Sequence, residues 1–244
     1  MPYTDSGKTW QKLSLIAGHA RRDAGFQFTS LAHLLDVEYL RDCYKSLNRN
    51  KAVGIDNVSW EEYGRKLEEN LELLVTRLKR KKYKPIPARR VYIPKGKDAV
   101  RPLGISSIEN KIVERGITRI LGSIYEADFK EFSYGFRPKR NAHQALKVTG
   151  DSINFKPVNY IVEADIKGFF DNVEHDILMD FLRIRIVDST LLQLIERFLQ
   201  AGYIDDKLLI QTEKGTPQGS ILSPLLANIF LHYVLDNWYD DTVQ

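Results

Sequence analysis

The chain has 244 residues, of which 43% are hydrophobic, and its single cysteine, Cys43, excludes an intrachain disulfide. Such a chain can bury cores in one large domain or in two smaller subdomains. No apolar run approaches the ~20 residues of a membrane helix, and the polar N-terminus is not typical of a signal peptide. We therefore expect a cytoplasmic protein with no membrane partner.

The net charge of +4 conceals an uneven distribution. Residues 77–97 contain no acid, so the rest of the chain is net acidic, whereas this segment carries Arg77, Lys79, Arg80, Lys81, Lys82, Lys84, Arg89, Arg90, Lys95 and Lys97. A local run of positive charge is the electrostatic footprint of a phosphate backbone. A solvated basic face is the alternative, and the length of the run makes it the weaker one.

The first 28 residues carry little pattern. From residue 29, apolar residues at helical spacing predict one or two helices that end near Asn48. Ser59 followed three residues later by Glu62 is a capping box. The apolar stripe behind it predicts a helix whose core face carries Tyr63, Leu67, Leu71, Leu74 and Leu78.

Proline residues at 85 and 87 end this helix, and alternation through 89–94 and 100–105 predicts two strands joined by a turn at 95–98. Lys95 and Arg101 would then lie on one β-ribbon. Arginine can hold two phosphate oxygens at once, and lysine adds a point charge. Surface charges on an exposed hairpin are the alternative.

Helices dominate the second half of the prediction. Ser106 with Glu109 predicts another capping box, and further helices are expected from about residue 141 to 148, after Asp171 and after the cap Asp188. The acidic pair at 205–206 suggests a hairpin turn. The rigid loop 215–219 leads into a helix for which Ser220 or Ser223 would be the cap.

Residues 158–164 alternate apolar and polar, which predicts a buried strand that ends at Asp165. Gly168, two aromatic residues and Asp171 follow. A carboxylate at the end of a strand is a hard oxygen ligand, suited to magnesium shared with substrate phosphates. For an isolated aspartate, a solvated acidic turn would be the better explanation.

Five sequence blocks stand in the order found in group II intron maturases, which are reverse transcriptases. Asp165 followed by Phe170 resembles the first catalytic motif of reverse transcriptases. The other blocks lie at 51–56, at 93–95 with 101–103, at 133–138 and at 215–224. The resemblance runs from about Phe28 to the C-terminus, and five blocks in order are highly specific.

The resemblance implies an α+β fold, the fingers and palm of a right-hand polymerase, helix-rich with small antiparallel β-sheets. Residues 1–28 would be an N-terminal extension, 29–150 the fingers region and 151–244 a partial palm whose sheet contains the Asp165 strand. The family's second catalytic motif, Tyr-x-Asp-Asp, is expected in sequence that this chain lacks. Tyr239-Asp240-Asp241 has no intervening residue and follows a helix, so we expect it not to be catalytic.

The resemblance also implies roles for individual residues. Asp165 would be the catalytic residue that binds both of two Mg²⁺ ions, together with the Ile166 backbone carbonyl. Contacts to the incoming nucleotide are expected from Lys95, Arg101, Phe169, Phe170 and Gln218, and the Phe170 ring would exclude a ribose 2′-hydroxyl. Template RNA would be bound by Arg77, Lys79, Arg80, Lys81, Lys82, Arg89, Arg90 and Arg137.

Arg137 has an equally weighted alternative, since it could pin its own loop by bonding backbone carbonyls. The implied partners are an RNA template or intron RNA, a DNA or RNA primer, and a deoxynucleotide. Self-association is also expected, with a homodimer as the candidate form.

The most direct hypothesis for function is a fragment of an RNA-directed DNA polymerase that keeps nucleotide and template contacts but is inactive alone. A non-catalytic RNA-binding maturase module that helps intron RNA to fold is one alternative. A reverse transcriptase of another prokaryotic lineage, of the retron or diversity-generating type, is the other. RNA affinity should fall with salt in the first two, which differ in whether Asp165 matters.

Overall fold

The computed structural model describes residues 7–95 and 99–242. Within these ranges the helices are α1 (Gly7–Arg22), α2 (Val37–Lys45), α3 (Trp60–Gly64), α4 (Leu67–Lys79), α5 (Ile108–Tyr125), α6 (Ala142–Phe155), α7 (His175–Arg185), α8 (Ser189–Leu199), α9 (Ser223–Leu231) and α10 (Asn237–Thr242). The strands are β1 (Ala88–Lys95), β2 (Ala99–Ile105), β3 (Tyr203–Asp205) and β4 (Leu208–Ile210). Among the described helices, none is long and apolar enough to cross a membrane.

Helix α5 is the centre of the core. It packs against α1, α2 and α9, and the fully buried side chains on it include Ile112, Val113, Ile117, Ile120 and Leu121. A glycine in this helix permits the close contact with α2, because a Cβ on Gly116 would lie 2.9 Å from Leu35 and 3.2 Å from Tyr39. The Tyr39 hydroxyl donates to the Gly116 carbonyl at 2.9 Å, which satisfies this polar group inside the core.

The strands form one sheet in the order β2-β1-β3-β4. The predicted ribbon is confirmed, since β1 and β2 pair antiparallel from Arg89 with Ile105 to Lys95 with Ala99. The sheet is not purely antiparallel, however, because β1 pairs parallel with β3. A parallel neighbour requires a long crossover, and α5 to α8 all lie between these two strands in the chain.

Two of the predicted helix caps are confirmed and two are wrong. The Ser59–Glu62 box and the Asp188 cap are both confirmed. The box at Ser106 and Glu109 is wrong: Ser107 is the cap, because the Ser106 hydroxyl donates to Glu114 at 2.8 Å and Glu109 pairs with Arg77. These long-range partners compete with the local bond. The Ser220 or Ser223 cap is also wrong, since Leu222 is the N-cap of α9 and makes no side-chain cap bond.

The predicted strand at 158–164 is wrong. This stretch has no regular secondary structure, and its side chains are exposed, with Tyr160 at 89% and Val162 at 91%. None of the described strands pairs with it, and a lone extended segment gains neither ladder hydrogen bonds nor burial. The preceding helix is longer than predicted, and none of its described residues is buried. The chain from 142 to 166 therefore lies outside the core.

His232 makes stability depend on pH. It is 5% exposed and lies edge-on to the Phe129 ring at a centroid distance of 5.8 Å. Burial, helped by the Lys130 and Arg137 charges, lowers its pKa from 6.5 to about 4. The unfolded chain therefore binds a proton between these values that the folded protein does not, so this histidine makes stability fall as the pH drops from 6.5 towards 4.

We expect His232→Leu to remove this acid-dependent loss. Thermal unfolding of the variant and the original protein should differ in a pH-dependent way between pH 7 and 4, with the variant losing less stability on acidification. Asp128 contributes with the opposite sign in this window, and comparing the two proteins cancels it. The exposed His143→Gln is the matched control. A stability difference that is constant with pH would contradict the prediction.

Candidate nucleotide and nucleic-acid site

The turn after Asp165 has a defined geometry although the segment before it does not. Gly168 adopts the left-handed conformation at φ 62°, and a short 3₁₀ turn follows at Phe169–Asp171. The Asn172 side-chain amide donates to the Gly168 carbonyl at 2.8 Å and closes the turn. Asp165 itself is exposed. The turn thus presents the Phe170 ring and Asp171 to the rest of the site.

The loop 215–219 is fastened to this turn by its backbone. The Gly215 amide donates to the Val173 carbonyl at 2.7 Å, and the Thr216 amide donates to the Phe170 carbonyl at 2.7 Å. On its other side, the Gly104 amide of β2 donates to the Gln218 carbonyl at 2.6 Å. A Cβ on Gly219, which has φ 109°, would lie 2.4 Å from the Gly104 oxygen, so only glycine fits there.

These bonds bring together Gln218 and Phe170, two of the residues predicted to contact a nucleotide. The Gln218 amide donates to the Asp171 carboxylate at 3.2 Å. Gln218, Asp171 and Phe170 line a cavity of about 280 Å³, together with Arg90, Lys214 and Thr216. A cavity between a glutamine, an aromatic ring and two cations has the chemistry of a polyphosphate and base pocket. Lys214 and Thr216 were missed; Thr216 lies in the 215–224 block and Lys214 directly before it, and this was the available signal.

The two phenylalanines of the turn face different surroundings. Phe170 lies edge-on to Phe136, with ring centroids 6.3 Å apart, and lines the cavity. Phe169 packs on Phe230 at 6.1 Å and joins the core cluster. Of the two predicted nucleotide contacts, Phe170 is therefore the one whose ring lies at the cavity.

The β-ribbon carries the other two predicted nucleotide contacts. Arg101 is exposed on β2 and pairs across the ribbon with Ile93. Lys95 ends β1, but its side chain lies outside the described part of the chain, as do Lys97 and the predicted turn itself. Arg101 does not line the 280 Å³ cavity. The structure thus brings Gln218 and Phe170 together without Arg101.

The block at 51–56 folds against the start of α5. A Cβ on Gly54 would lie 2.6 Å from the Ser107 Cα atom, so the motif requires glycine for this approach. Two cations hold the loop: Lys111 donates to the Ala52 carbonyl at 2.7 Å, and Arg89 donates to the Val53 carbonyl at 2.9 Å. Arg89, predicted to bind template, therefore has a structural partner as well.

The other cations of segment 77–97 also divide by environment. Arg77 pairs with Glu109 at 2.6 Å, and the Arg90 guanidinium stacks 3.4 Å from the centroid of the Tyr203 ring. Exposed side chains belong to Lys79, Arg80, Lys81 and Lys82, at and just beyond the end of α4. The uniform positive stripe of the sequence is therefore several separate surfaces.

Arg137 is 7% exposed, and its guanidinium is engaged inside the protein. It donates to the Lys130 carbonyl at 2.7 Å and to the Ser133 carbonyl at 2.9 Å, and it pairs with Glu126 at 3.1 Å. These contacts match the alternative in which the arginine pins its own loop. Two backbone carbonyls and the Glu126 carboxylate together leave the guanidinium little capacity for template phosphates.

The described residues do not form a metal site by themselves. Among them there is no group of three or more His, Cys, Asp or Glu side chains that could hold a metal ion. Asp165 could supply one carboxylate, which is fewer than a divalent ion needs from protein and substrate together. The Tyr239–Asp241 stretch lies in helix α10, and Asp240 pairs with Lys130.

A groove that sequence reasoning missed joins α1, α5 and the loop that carries Phe136. Its volume is about 810 Å³, and its cationic lining residues include Arg21, Arg115 and Lys139. Two exposed aromatic side chains also line it, Trp10 at 62% and Phe136 at 72%. Cations interleaved with exposed aromatics are typical of single-stranded nucleic-acid grooves. Phe136 lies against Phe170, so the groove reaches the nucleotide cavity.

Comparison with known families decides the assignment. The family model described as reverse transcriptase (RNA-dependent DNA polymerase) matches residues 93–243, which is more than half of the chain. The chain belongs to the reverse transcriptase family. The match includes β2, the Asp165 turn and the Gln218 loop. Reverse transcriptases generally use divalent metal ions, although the described residues here do not complete a site.

Similar proteins confirm the resemblance to group II intron-encoded proteins. The chain is 38% identical to the group II intron-encoded protein LtrA of Lactococcus lactis subsp. cremoris over 224 residues, which cover 90% of this chain and 37% of that protein. It is also 38% identical to protein YkfC of Escherichia coli (strain K12), covering 89% of this chain and 59% of that one. This reverse transcriptase chain thus spans 37% and 59% of the lengths of these two relatives, less than two thirds of either.

A solved structure confirms the right-hand polymerase fold. In a partial Cas6-RT-Cas1–Cas2 complex, one chain superposes with a TM-score of 0.54 at 20% identity, covering 85% of this reverse transcriptase chain and 34% of that one. At this identity the likeness speaks for the fold alone. The expected helix-rich fingers-palm architecture is therefore correct, with a mixed rather than antiparallel sheet.

Proposed function

We propose that the protein is the fingers and partial palm of a group II intron RNA-directed DNA polymerase, binding RNA template and deoxynucleotide. The observation that carries the proposal is the cavity in which Gln218, held by Asp171, meets the Phe170 ring and two cations. The polar amide and the ring suit a base and sugar, and Arg90 and Lys214 suit phosphates. Arg101 and Lys95, on the ribbon above, are proposed to complete the phosphate contacts.

The template is proposed to run through the 810 Å³ groove. Arg21, Arg115 and Lys139 would neutralise phosphates, while Trp10 and Phe136 would stack on bases. Because Phe136 contacts Phe170, a base stacked on Phe136 would lie beside the nucleotide cavity. Of the predicted template contacts, Arg90 lines the cavity and Arg89 holds the 51–56 loop, whereas the residues at and beyond the end of α4 lie elsewhere.

Asp165 and the Ile166 carbonyl are proposed as ligands of a two-magnesium site that other carboxylates complete. When bound, such a pair stabilises the attacking and leaving oxygens of nucleotidyl transfer. Asp165 suits this part because it is exposed just before the turn that presents Phe170. It would then face the primer terminus and the nucleotide phosphates.

We expect this chain to bind RNA without extending a primer. In fluorescence anisotropy with a labelled single-stranded RNA, the affinity should fall steeply with salt, because phosphate contacts release counterions. The double variant Arg21→Gln with Lys139→Gln should weaken binding about tenfold, and the exposed Lys66→Gln is the matched control. Primer extension with deoxynucleotides and magnesium should give no product.

Extension that disappears with Asp165→Ala would show a complete metal site within these residues and contradict the inactive-fragment part of the proposal. Equal RNA affinity for the groove variant and its control would contradict the template path. A non-catalytic RNA-binding maturase module is the second candidate, favoured by the lack of a metal-ligand group among the described residues. In that case Asp165→Ala would change neither the RNA affinity nor the RNA-folding activity of a longer protein that carries these residues.

A further inference from the structure

A second cleft lies apart from the nucleotide cavity and the template groove. It has a volume of about 470 Å³ and lies between residues 29–35, the end of α4 and the start of α8. It shares no lining residue with either of the other two sites. Its cationic residues at 79 and 81 belong to the acid-free segment, and the nucleotide and template sites do not use them.

Three cationic side chains line this cleft: Lys79, Lys81 and Arg197. Arg197 donates through Nη1 to the Lys81 carbonyl at 2.8 Å and to the Tyr83 carbonyl at 3.0 Å. Its Nε and Nη2 have no hydrogen-bond partner among the described residues, and neither Lys79 nor Lys81 forms an ion pair there. The guanidinium is thus fixed in place while donors remain for a ligand.

Lys81 has an unusual backbone conformation. It follows the end of α4 with φ 55°, in the left-handed region where helices usually place glycine. A lysine there is less stable than glycine, because its Cβ crowds the backbone. The sequence therefore places a charged side chain at the cleft in a position where glycine would suit the fold better.

The acid that lines the cleft is already compensated. The Asp188 carboxylate accepts hydrogen bonds from the backbone amides of Leu31 at 2.6 Å, Ala32 at 2.7 Å, Thr190 at 2.9 Å and Leu191 at 3.1 Å. Burial acts to raise its pKa, but these donors together outweigh it and lower the pKa. The carboxylate therefore serves the α8 cap, and three cations remain for an anion.

Hydroxyl groups supply further donors at this cleft. Thr29, Ser189 and Thr190 line it beside the cations. Two rings line it: Tyr83 is 1% exposed and its hydroxyl donates to Asn110 at 2.8 Å, and the exposed His33 imidazole is hydrogen-bonded through Nδ1 to the Ser30 hydroxyl at 3.0 Å. Cations and hydroxyls with no exposed Phe, Tyr or Trp ring suit phosphate oxygens and ribose hydroxyls better than unstacked bases.

We propose that this cleft binds the phosphate backbone of double-stranded RNA, as a contact separate from template and nucleotide. Lys79 and Lys81 would supply point charges and Arg197 its unoccupied donors. The exposed Arg80 and Lys82 extend the positive surface beside it. Duplex RNA is recognised through its backbone and 2′-hydroxyls, whereas single strands require stacking platforms. The cleft would therefore bind duplex RNA, and the aromatic groove would bind single-stranded RNA.

Lys81→Gly tests the cleft with little risk to folding, because glycine relieves the left-handed strain. Lys207→Gly is the matched control: Lys207 has φ 70° in the hairpin turn between β3 and β4 and does not line the cleft. Each substitution removes one charge at a left-handed lysine. Binding of the full chain to a labelled RNA hairpin and to a single-stranded RNA is measured over a range of salt, with melting temperatures as a check.

We expect Lys81→Gly to weaken hairpin binding about three- to tenfold and to lower the salt slope by about one. Lys207→Gly should leave hairpin binding unchanged, and single-stranded binding should be equal in all three proteins. Equal hairpin affinity for both variants, whether reduced or not, would overturn the proposal. Competition by millimolar inorganic phosphate would overturn the RNA assignment. Failure of single-stranded binding alone would count against the proposed polymerase function and not against the cleft.

Discussion

Replacing Phe170 by alanine is expected to let ribonucleotides compete with deoxynucleotides in a longer reverse transcriptase that carries these residues. Discrimination between the two sugars should fall about 100-fold, the scale on which a pocket distinguishes ligands by a single hydroxyl. Incorporation of dNTP and rNTP by single-turnover primer extension measures this directly. The rate with deoxynucleotides should change far less than the selectivity.

The reason is that the Phe170 ring is held in place from two sides. Its backbone carbonyl accepts from the Thr216 amide at 2.7 Å, and its ring contacts Phe136 and Phe169 at centroid distances of 6.3 and 5.7 Å. A ring fixed in this way cannot move aside for a 2′-hydroxyl. Alanine removes the ring and leaves the backbone bond intact, so the loop that carries Gln218 should stay in position.

Phe169→Ala is the matched control for this experiment. Phe169 is adjacent in the chain, but its ring packs on Phe230 and the core. Its loss should lower the melting temperature without changing sugar selection. Unchanged selectivity in Phe170→Ala, or an equal change in both variants, would exclude Phe170 as the sugar filter.

Arg185→Met should destabilise the protein by about 3–5 kcal/mol, the usual effect of removing one partner of a buried ion pair. Arg185 is 1% exposed, and its Nε lies 3.3 Å from an Asp128 carboxylate oxygen. The guanidinium also donates to the carbonyls of Ala20, Asp23 and Ala24. One side chain thus joins the end of α7 to the end of α1.

The loss should depend on pH in a defined direction. Burial raises the pKa of Asp128 to about 6, and the Arg185 charge partly opposes the rise. Without the arginine the pKa rises further, so below pH 6 Asp128 is neutral and its burial costs less. Denaturant unfolding at pH 5 and 7.5 should therefore show a smaller loss for Arg185→Met at the lower pH.

Two further variants isolate the buried charge. Arg183→Met lies on the same helix, but its partner Asp180 is 73% exposed, so a change below about 1 kcal/mol is expected. Adding Asp128→Asn to Arg185→Met should restore part of the stability at neutral pH, because the uncompensated charge is gone. Equal losses at both pH values, with no recovery in the double variant, would mean that only the carbonyl contacts matter.

Much of the fold could be predicted because its determinants are local. The capping box at Ser59, the Asp188 cap and the β-ribbon depend on residues a few positions apart, and all three are confirmed. The failed predictions share a different cause. The alternation at 158–164 says which side chains share a face, but a strand also needs a partner that its own sequence does not contain.

The candidate site shows the same division between local and distant information. The motifs predicted Gln218 and Phe170 as nucleotide contacts, and the structure brings both to one cavity. They could not decide whether Arg137 binds a ligand or its own loop, because that depends on carbonyls that the fold brings together. Nor could they reveal Trp10 and Arg21 in the groove, since helix α1 has no motif and gains its place by packing on distant helices, chiefly α5.

The backbone bonds of loop 215–219 also bear on the order in which the chain folds. They join this loop to β2 and to the Phe170 turn, segments that are made much earlier during synthesis. Pairings between distant segments carry a large loop-closure cost and form slowly. Helices α2, α4 and α5 can assemble on the emerging chain, but the nucleotide cavity cannot close until Gln218 has left the ribosome. Until then the partly made protein would display the Phe170 turn without its cover.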